Sequence, residues 1–201
     1  MRCWAALGGH WPTPTFVDSI LDHLTECRSA DGSFAMEPGR EKGTLYDAFL
    51  ALGVYQDVGA PMPAPAVLGA AMHELRTPDG GFSNESELKW GMGPSTAAAV
   101  AVLAQLELPV PDDAGRWLLS QVHPKGGFKA ITDAPMPDLL STATILHALS
   151  ILQVEIGAAK DLCLDYLDTL WSGRSFYGHW ADDELDVEYT FYALLALGHL
   201  A

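Results

Sequence analysis

Two kinds of segment alternate along the chain. One is mixed in polarity, with apolar residues at helical spacing, as Ile20, Leu21 and Leu24 show. It recurs at 15–27, 65–75, 112–121 and 158–170. The other is rich in Ala and Leu on almost every side and follows at 44–55, 95–106, 138–152 and 186–200. Thr96-Ala97-Ala98-Ala99-Val100-Ala101-Val102-Leu103-Ala104 is its clearest run. A helix that is apolar all round is buried all round, so the second segment of each pair is predicted to be an inner helix and the first an outer one. Pro14, Pro65 and Pro111, at or just before the starts, suit helix N-termini. The pattern predicts an all-α fold of eight principal helices in four antiparallel hairpins, with essentially no β-sheet.

Short motifs punctuate the pairs: Asp31-Gly32-Ser33-Phe34, Asp79-Gly80-Gly81-Phe82, Lys125-Gly126-Gly127-Phe128 and Tyr177-Gly178-His179-Trp180. Their first glycines are 48, 46 and 52 residues apart, which reads as a tandem repeat over 14–58, 64–107, 111–154 and 158–201 within one domain of residues 1–201. Glycine permits the positive φ of a sharp turn, and the aromatic two positions on is expected to plug the gap between hairpins. Four residues before each first glycine stand Arg28, Arg76, Val122 and Arg174. The arginines are expected to tie the end of an outer helix to carbonyls of the next loop.

Composition narrows the classes. At 49% hydrophobic over 201 residues the chain can bury a proper core. A net charge of −15 repels nucleic acid and anionic membrane surfaces. No segment gives 18 uncharged apolar residues in a row, and the apolar start at residues 3–9 is too short for a signal peptide, so neither membrane insertion nor export is expected. Cys3, Cys27 and Cys163 show no paired spacing, which fits a reducing, cytoplasmic setting rather than a disulfide framework.

The stretches Trp117-Leu118-Leu119-Ser120-Gln121-Val122-His123-Pro124-Lys125-Gly126-Gly127-Phe128 and Leu75-Arg76-Thr77-Pro78-Asp79-Gly80-Gly81-Phe82 resemble the repeat of the terpene cyclase and protein prenyltransferase β-subunit superfamily. The resemblance runs from about residue 15 to the end. It implies an α/α toroid, here a partial or small α/α barrel of four hairpins where family members close about six. Four either leave an open arc, whose hydrophobic ends a second copy or a partner protein could cover, or close as a tighter ring with a smaller cavity.

The same resemblance sets the candidate chemistry. Zinc ligands of a protein prenyltransferase would fall on Asp138, Leu140 and Tyr189; Leu cannot bind zinc and a phenol binds it poorly, so no zinc is expected. The acid signature of a class II cyclase falls on Asp186-Val187-Glu188-Tyr189-Thr190, with Glu188 in the general-acid place and Asp186 beside it. Burial would keep Glu188 protonated, and Trp90, Trp180, Tyr189 and Tyr192 could face a carbocation. Acidic residues at a helix start also simply stabilise the dipole. Asp182-Asp183-Glu184-Leu185-Asp186 reads as a magnesium–diphosphate motif, the one cofactor candidate. Asp138 and His147 complete the expected binding residues. Two readings stay open. One is a small terpene-cyclase-like protein that binds or cyclises an apolar isoprenoid by acid catalysis. The other is a non-catalytic toroid for a hydrophobic ligand or partner.

Overall fold

The computed structural model describes residues 5–201; residues 1–4, Cys3 among them, lie outside the described residues. From Pro14 onward the elements are α1 (Pro14–Glu26), α2 (Leu45–Val58), α3 (Pro65–His73), α4 (Gly93–Gln105), α5 (Ala114–Ser120), α6 (Leu139–Ile151), α7 (Ala159–Leu170) and α8 (Val187–Leu200). Among the described residues only isolated β-bridges occur, and no helix is long and apolar enough to cross a membrane. Cys27 and Cys163 are buried, free thiols.

The inner helices pack in sequence, α2 on α4, α4 on α6 and α6 on α8, with α1, α5 and α7 each laid on its own inner partner. Small residues make this close approach possible: Ala97, Ala99, Ala143, Ala148, Ala193 and Ala196 are all buried. Outer helix α3 joins through Leu68 and Met72, which share a cluster with Leu52 and Leu103. A second cluster spans the third and fourth hairpins around Ile145, Leu146, Tyr166 and Leu167.

Each turn is built to one plan. Phe34, Phe82 and Phe128 are buried plugs bridged to Arg28, Arg76 and Val122 at the end of the outer helix. Their carbonyls accept from the N–H groups of Thr44 (2.9 Å), Met92 (2.9 Å) and Asp138 (3.2 Å), the residues that precede the inner helices. The Phe82 and Phe128 N–H groups donate to Thr96 Oγ1 and Thr142 Oγ1, both at 2.9 Å. The next hairpin is then stitched on. Leu45, Gly93 and Leu139, each first in its inner helix, donate N–H bonds to Asn84 (3.2 Å), Ala130 (2.7 Å) and Gly178 (2.8 Å). Buried amides are thereby paired at every junction.

The fourth turn corrects the expected register. Its bridge joins Trp171 to Phe176, and Phe176 is the buried plug. Gly173, at φ +92°, shares the left-handed conformation of Gly32 (+85°), Gly80 (+94°) and Gly126 (+89°) but stands three residues before its plug rather than two. The plugs Phe34, Phe82, Phe128 and Phe176 are therefore 48, 46 and 48 residues apart, and Trp180 is not a plug. Arg174 consequently leaves the arginine series. Of the remaining two, Arg28 does reach the next hairpin's carbonyl, Pro63 O at 3.2 Å, as well as Gly32 O at 2.8 Å. Arg76 instead takes a carboxylate, both oxygens of Asp113 at 2.5 and 2.6 Å, just ahead of α5.

Inner helices also end alike. Gly59, Glu107 and Gln153 are left-handed at φ +70°, +56° and +54°. The N–H groups of Ala60, Leu108 and Val154 reach back to Tyr55, Leu103 and Leu149 carbonyls, the closing bond of a Schellman motif.

Candidate functional site

The repeat register fixes which side chains face the concave side. On α6 these are Leu140, Thr144, His147 and Ile151, spaced as one helical stripe and left at least partly exposed on a helix that is otherwise buried apart from Ser150. Their equivalents are Tyr46, Leu50, Gly53 and Asp57 on α2, Pro94, Ala98, Ala101 and Gln105 on α4, and Glu188, Tyr192, Leu195 and His199 on α8. The surface is apolar or small through its middle. Its acidic group at the N-terminal rim is Glu188, close to the tyrosine hydroxyls. Burial pushes the Tyr192 hydroxyl up from its ordinary value; the hydrogen-bonded Glu188 carboxylate and the nearby Tyr46 and Tyr189 push the same way. Tyr46 lies on the first inner helix and Tyr192 on the last.

Four carboxylates act on Tyr189. Burial raises its hydroxyl first, then Asp182, Glu188, Asp186 and Asp138 in turn. Of the predicted residues, Asp138, Asp186 and Glu188 thus act electrostatically on Tyr189, and Glu188 is hydrogen-bonded to Tyr192. They form an open acidic rim rather than an enclosed acid site. Asp186 is the N-cap of α8, its Oδ1 accepting from Glu188 N–H at 2.6 Å. This is the place held by Thr44 on α2 and Asp138 on α6. Thr190, the last residue of the resembled cyclase signature, is the equivalent of Thr96 and Thr142; its Oγ1 meets Ser175 Oγ at 2.6 Å. The burial expected of Glu188 is not there, because its side chain is exposed.

Burial falls on Asp138 instead and raises its carboxyl, against two 2.7 Å hydrogen bonds from Ser141 and the pull of His179. Trp180 and Trp90 do not join the rim's hydroxyls. Trp180, 40% exposed, stacks edge-on to Tyr166 and His123 and donates Nε1–H to Thr169 Oγ1 at 2.9 Å, so it lies against outer helix α7. Trp90, 52% exposed, stands in the loop ahead of α4.

Neither metal motif fits its residues. At the zinc positions, Leu140 has no donor atom, Asp138 is engaged by Ser141, and the Tyr189 ring lies against Gly178. In the magnesium-like stretch, Asp182 accepts from Gly178 N–H (2.9 Å) and Glu184 N–H (3.2 Å). Those bonds hold its carboxyl below the usual range. Among the described residues no three His, Cys, Asp or Glu side chains gather as a metal site. Asp31 and Asp79 likewise serve loops, their second oxygens accepting from Gly43 (3.3 Å) and Gly91 (3.0 Å).

One pair on the concave side has no signal in the sequence. His147 Nδ1 lies 3.0 Å from His199 Nε2, linking α6 to α8 across 52 residues. Burial lowers both rings' pKa, and His199 lowers that of His147 further. As pH falls through about 6.5 the unfolded chain takes up protons before the folded one, so the folded state loses stability there and keeps it in full above. The melting temperature is expected to drop between about pH 7.5 and 5.5, and less steeply in His199→Gln, which keeps a hydrogen bond but does not titrate. Parallel pH profiles of the two proteins would refute the coupling.

Two surface concavities, of about 490 and 190 Å³, both sit on the Arg76–Pro78 turn and include none of the predicted site residues. No curated protein matches the chain. A family model described as the prenyltransferase alpha-alpha toroid domain matches residues 3–59 and 96–200, leaving out the second outer helix and its turn. With most of its length matched, and with the repeated turn geometry described above, the chain belongs to the prenyltransferase alpha-alpha toroid domain family.

Proposed function

We propose that the chain binds one apolar, isoprenoid-like molecule along the concave face of its inner helices, polar end toward Glu188 and Tyr192, and does not turn it over. The observation that carries this is the face itself: Leu50, Ala98, Leu140, Ala101 and Leu195 offer apolar contact along helices about 20 Å long. The exposed position of Glu188 argues against turnover, since protonating an alkene needs an acid shielded from water. Farnesol titrated into the protein is expected to perturb tyrosine fluorescence saturably, and Leu50→Asp to weaken binding roughly tenfold or more while leaving the circular dichroism unchanged. Absence of saturable binding would end this reading.

Acid-catalysed cyclisation remains the second reading, favoured by the carboxylates Asp138, Asp186 and Glu188 all acting on one phenol. A cyclised product that disappears in Glu188→Gln would put it first.

A further inference from the structure

We propose that the exposed face of α8 is a self-association surface, on which α8 of a second copy of this chain packs antiparallel. The face continues an interface that already exists within the chain. On α4, Ala97 and Val100 are buried where α6 packs; on α6, Leu139, Ala143 and Leu146 are buried where α8 packs. Their equivalents on α8 are Val187, Phe191 and Leu194, which are 85, 59 and 63% exposed. The N–H stitching that runs from Leu45, Gly93 and Leu139 to the following hairpin also stops at Val187 among the described residues.

The pattern of the stripe selects its occupant. Val187, Phe191, Leu194 and Gly198 form one line down α8. About a twofold axis midway between Phe191 and Leu194, that line matches itself. Phe191 faces Leu194 of the second copy, and Val187 faces Gly198, which leaves room for it. Charge selects the same direction. Asp182, Asp183, Glu184, Asp186 and Glu188 crowd the N-terminal end of α8, while Lys160, bonded to the Ala201 carbonyl at 3.0 Å, stands at the other. Antiparallel packing sets each acidic end beside the other copy's cationic end, and a parallel pair would superpose two acidic ends. A single helix pair falls below about 1,200 Å² in total, so the association is reversible.

Sedimentation equilibrium of the full chain over a wide concentration range is the test. The mass is expected to rise from 21.6 kDa towards twice that value. Phe191→Glu or Leu194→Lys, each at a solvent-facing position of the monomer, is expected to weaken the dimer roughly tenfold or more with unchanged helix content. Phe191→Glu with Leu194→Lys restores it, because each Glu then meets a Lys of the other copy. A monomeric mass at every concentration would leave the face to a foreign helix and overturn the proposal. So would a dimer indifferent to Phe191→Glu, or a double variant no better than the singles.

Discussion

Gly126→Ala is expected to cost roughly 3–5 kcal/mol of stability, and Gly173→Ala only about 1–2 kcal/mol. The two glycines lie in corresponding turns, in nearly the same conformation, φ +89° and +92°. A Cβ at either therefore pays the left-handed penalty once. They differ in what surrounds them. At Gly126 the new methyl would press into the Leu162 carbonyl of α7 and lie 3.1 Å from Tyr166 Cβ, so a backbone in the core would have to move. At Gly173 nothing lies within 4 Å. Urea unfolding of the two variants side by side checks the difference. Equal losses would mean that α7 yields at no cost, and that the third turn is looser than its packing indicates.

The contrast between those turns shows how far the sequence could be read. The four hairpins, their inner and outer members and most helix limits follow from Ala- and Leu-rich segments alternating with mixed ones, since burial on every side leaves a compositional trace. The fourth turn misleads because its bridged residues, Trp171 and Phe176, are five apart where its counterparts' are six, while Tyr177-Gly178-His179-Trp180 imitates their spelling. Glu107 and Gln153 adopt the conformation that Gly59 takes with ease, so their helix ends carry no glycine to announce them. The His147–His199 pair depends on two helices meeting, and no spacing along one helix encodes that.

The candidate site was legible as residues near the starts of inner helices rather than as chemistry. Asp138 and Asp186 are N-caps of α6 and α8, and the charges of Asp138, Asp186 and Glu188 act on Tyr189 from there. The repeat then assigns Asp186 the capping duty that Thr44 and Asp138 perform in other hairpins, where no cyclase signature is spelled, and Thr190 is tied to the turn through Ser175. What distinguishes the α8 rim from its counterparts is Glu188 and Tyr192, standing where α6 has Leu140 and Thr144.

Farnesyl diphosphate is expected to bind at least about 100-fold more weakly than farnesol at low ionic strength. The groups that act on Tyr189 are the carboxylates Asp182, Glu188, Asp186 and Asp138. At an effective dielectric near 20, two unit like charges roughly 8 Å apart repel by about 2 kcal/mol. The rim is open, so water and salt reduce each repulsion, yet several acting together still exceed the roughly 2.7 kcal/mol that corresponds to 100-fold. Raising the salt to about 1 M, where the Debye length is near 3 Å, is expected to narrow the gap. Asp186→Asn combined with Glu188→Gln should narrow it at low salt, since Asn keeps a cap oxygen for the Glu188-position N–H and only charge is lost. The alcohol's own affinity should barely change in that variant. Equal or tighter binding of the diphosphate would place the ligand's head away from this rim, whereas weak binding of both compounds would count against the concave face as the binding surface.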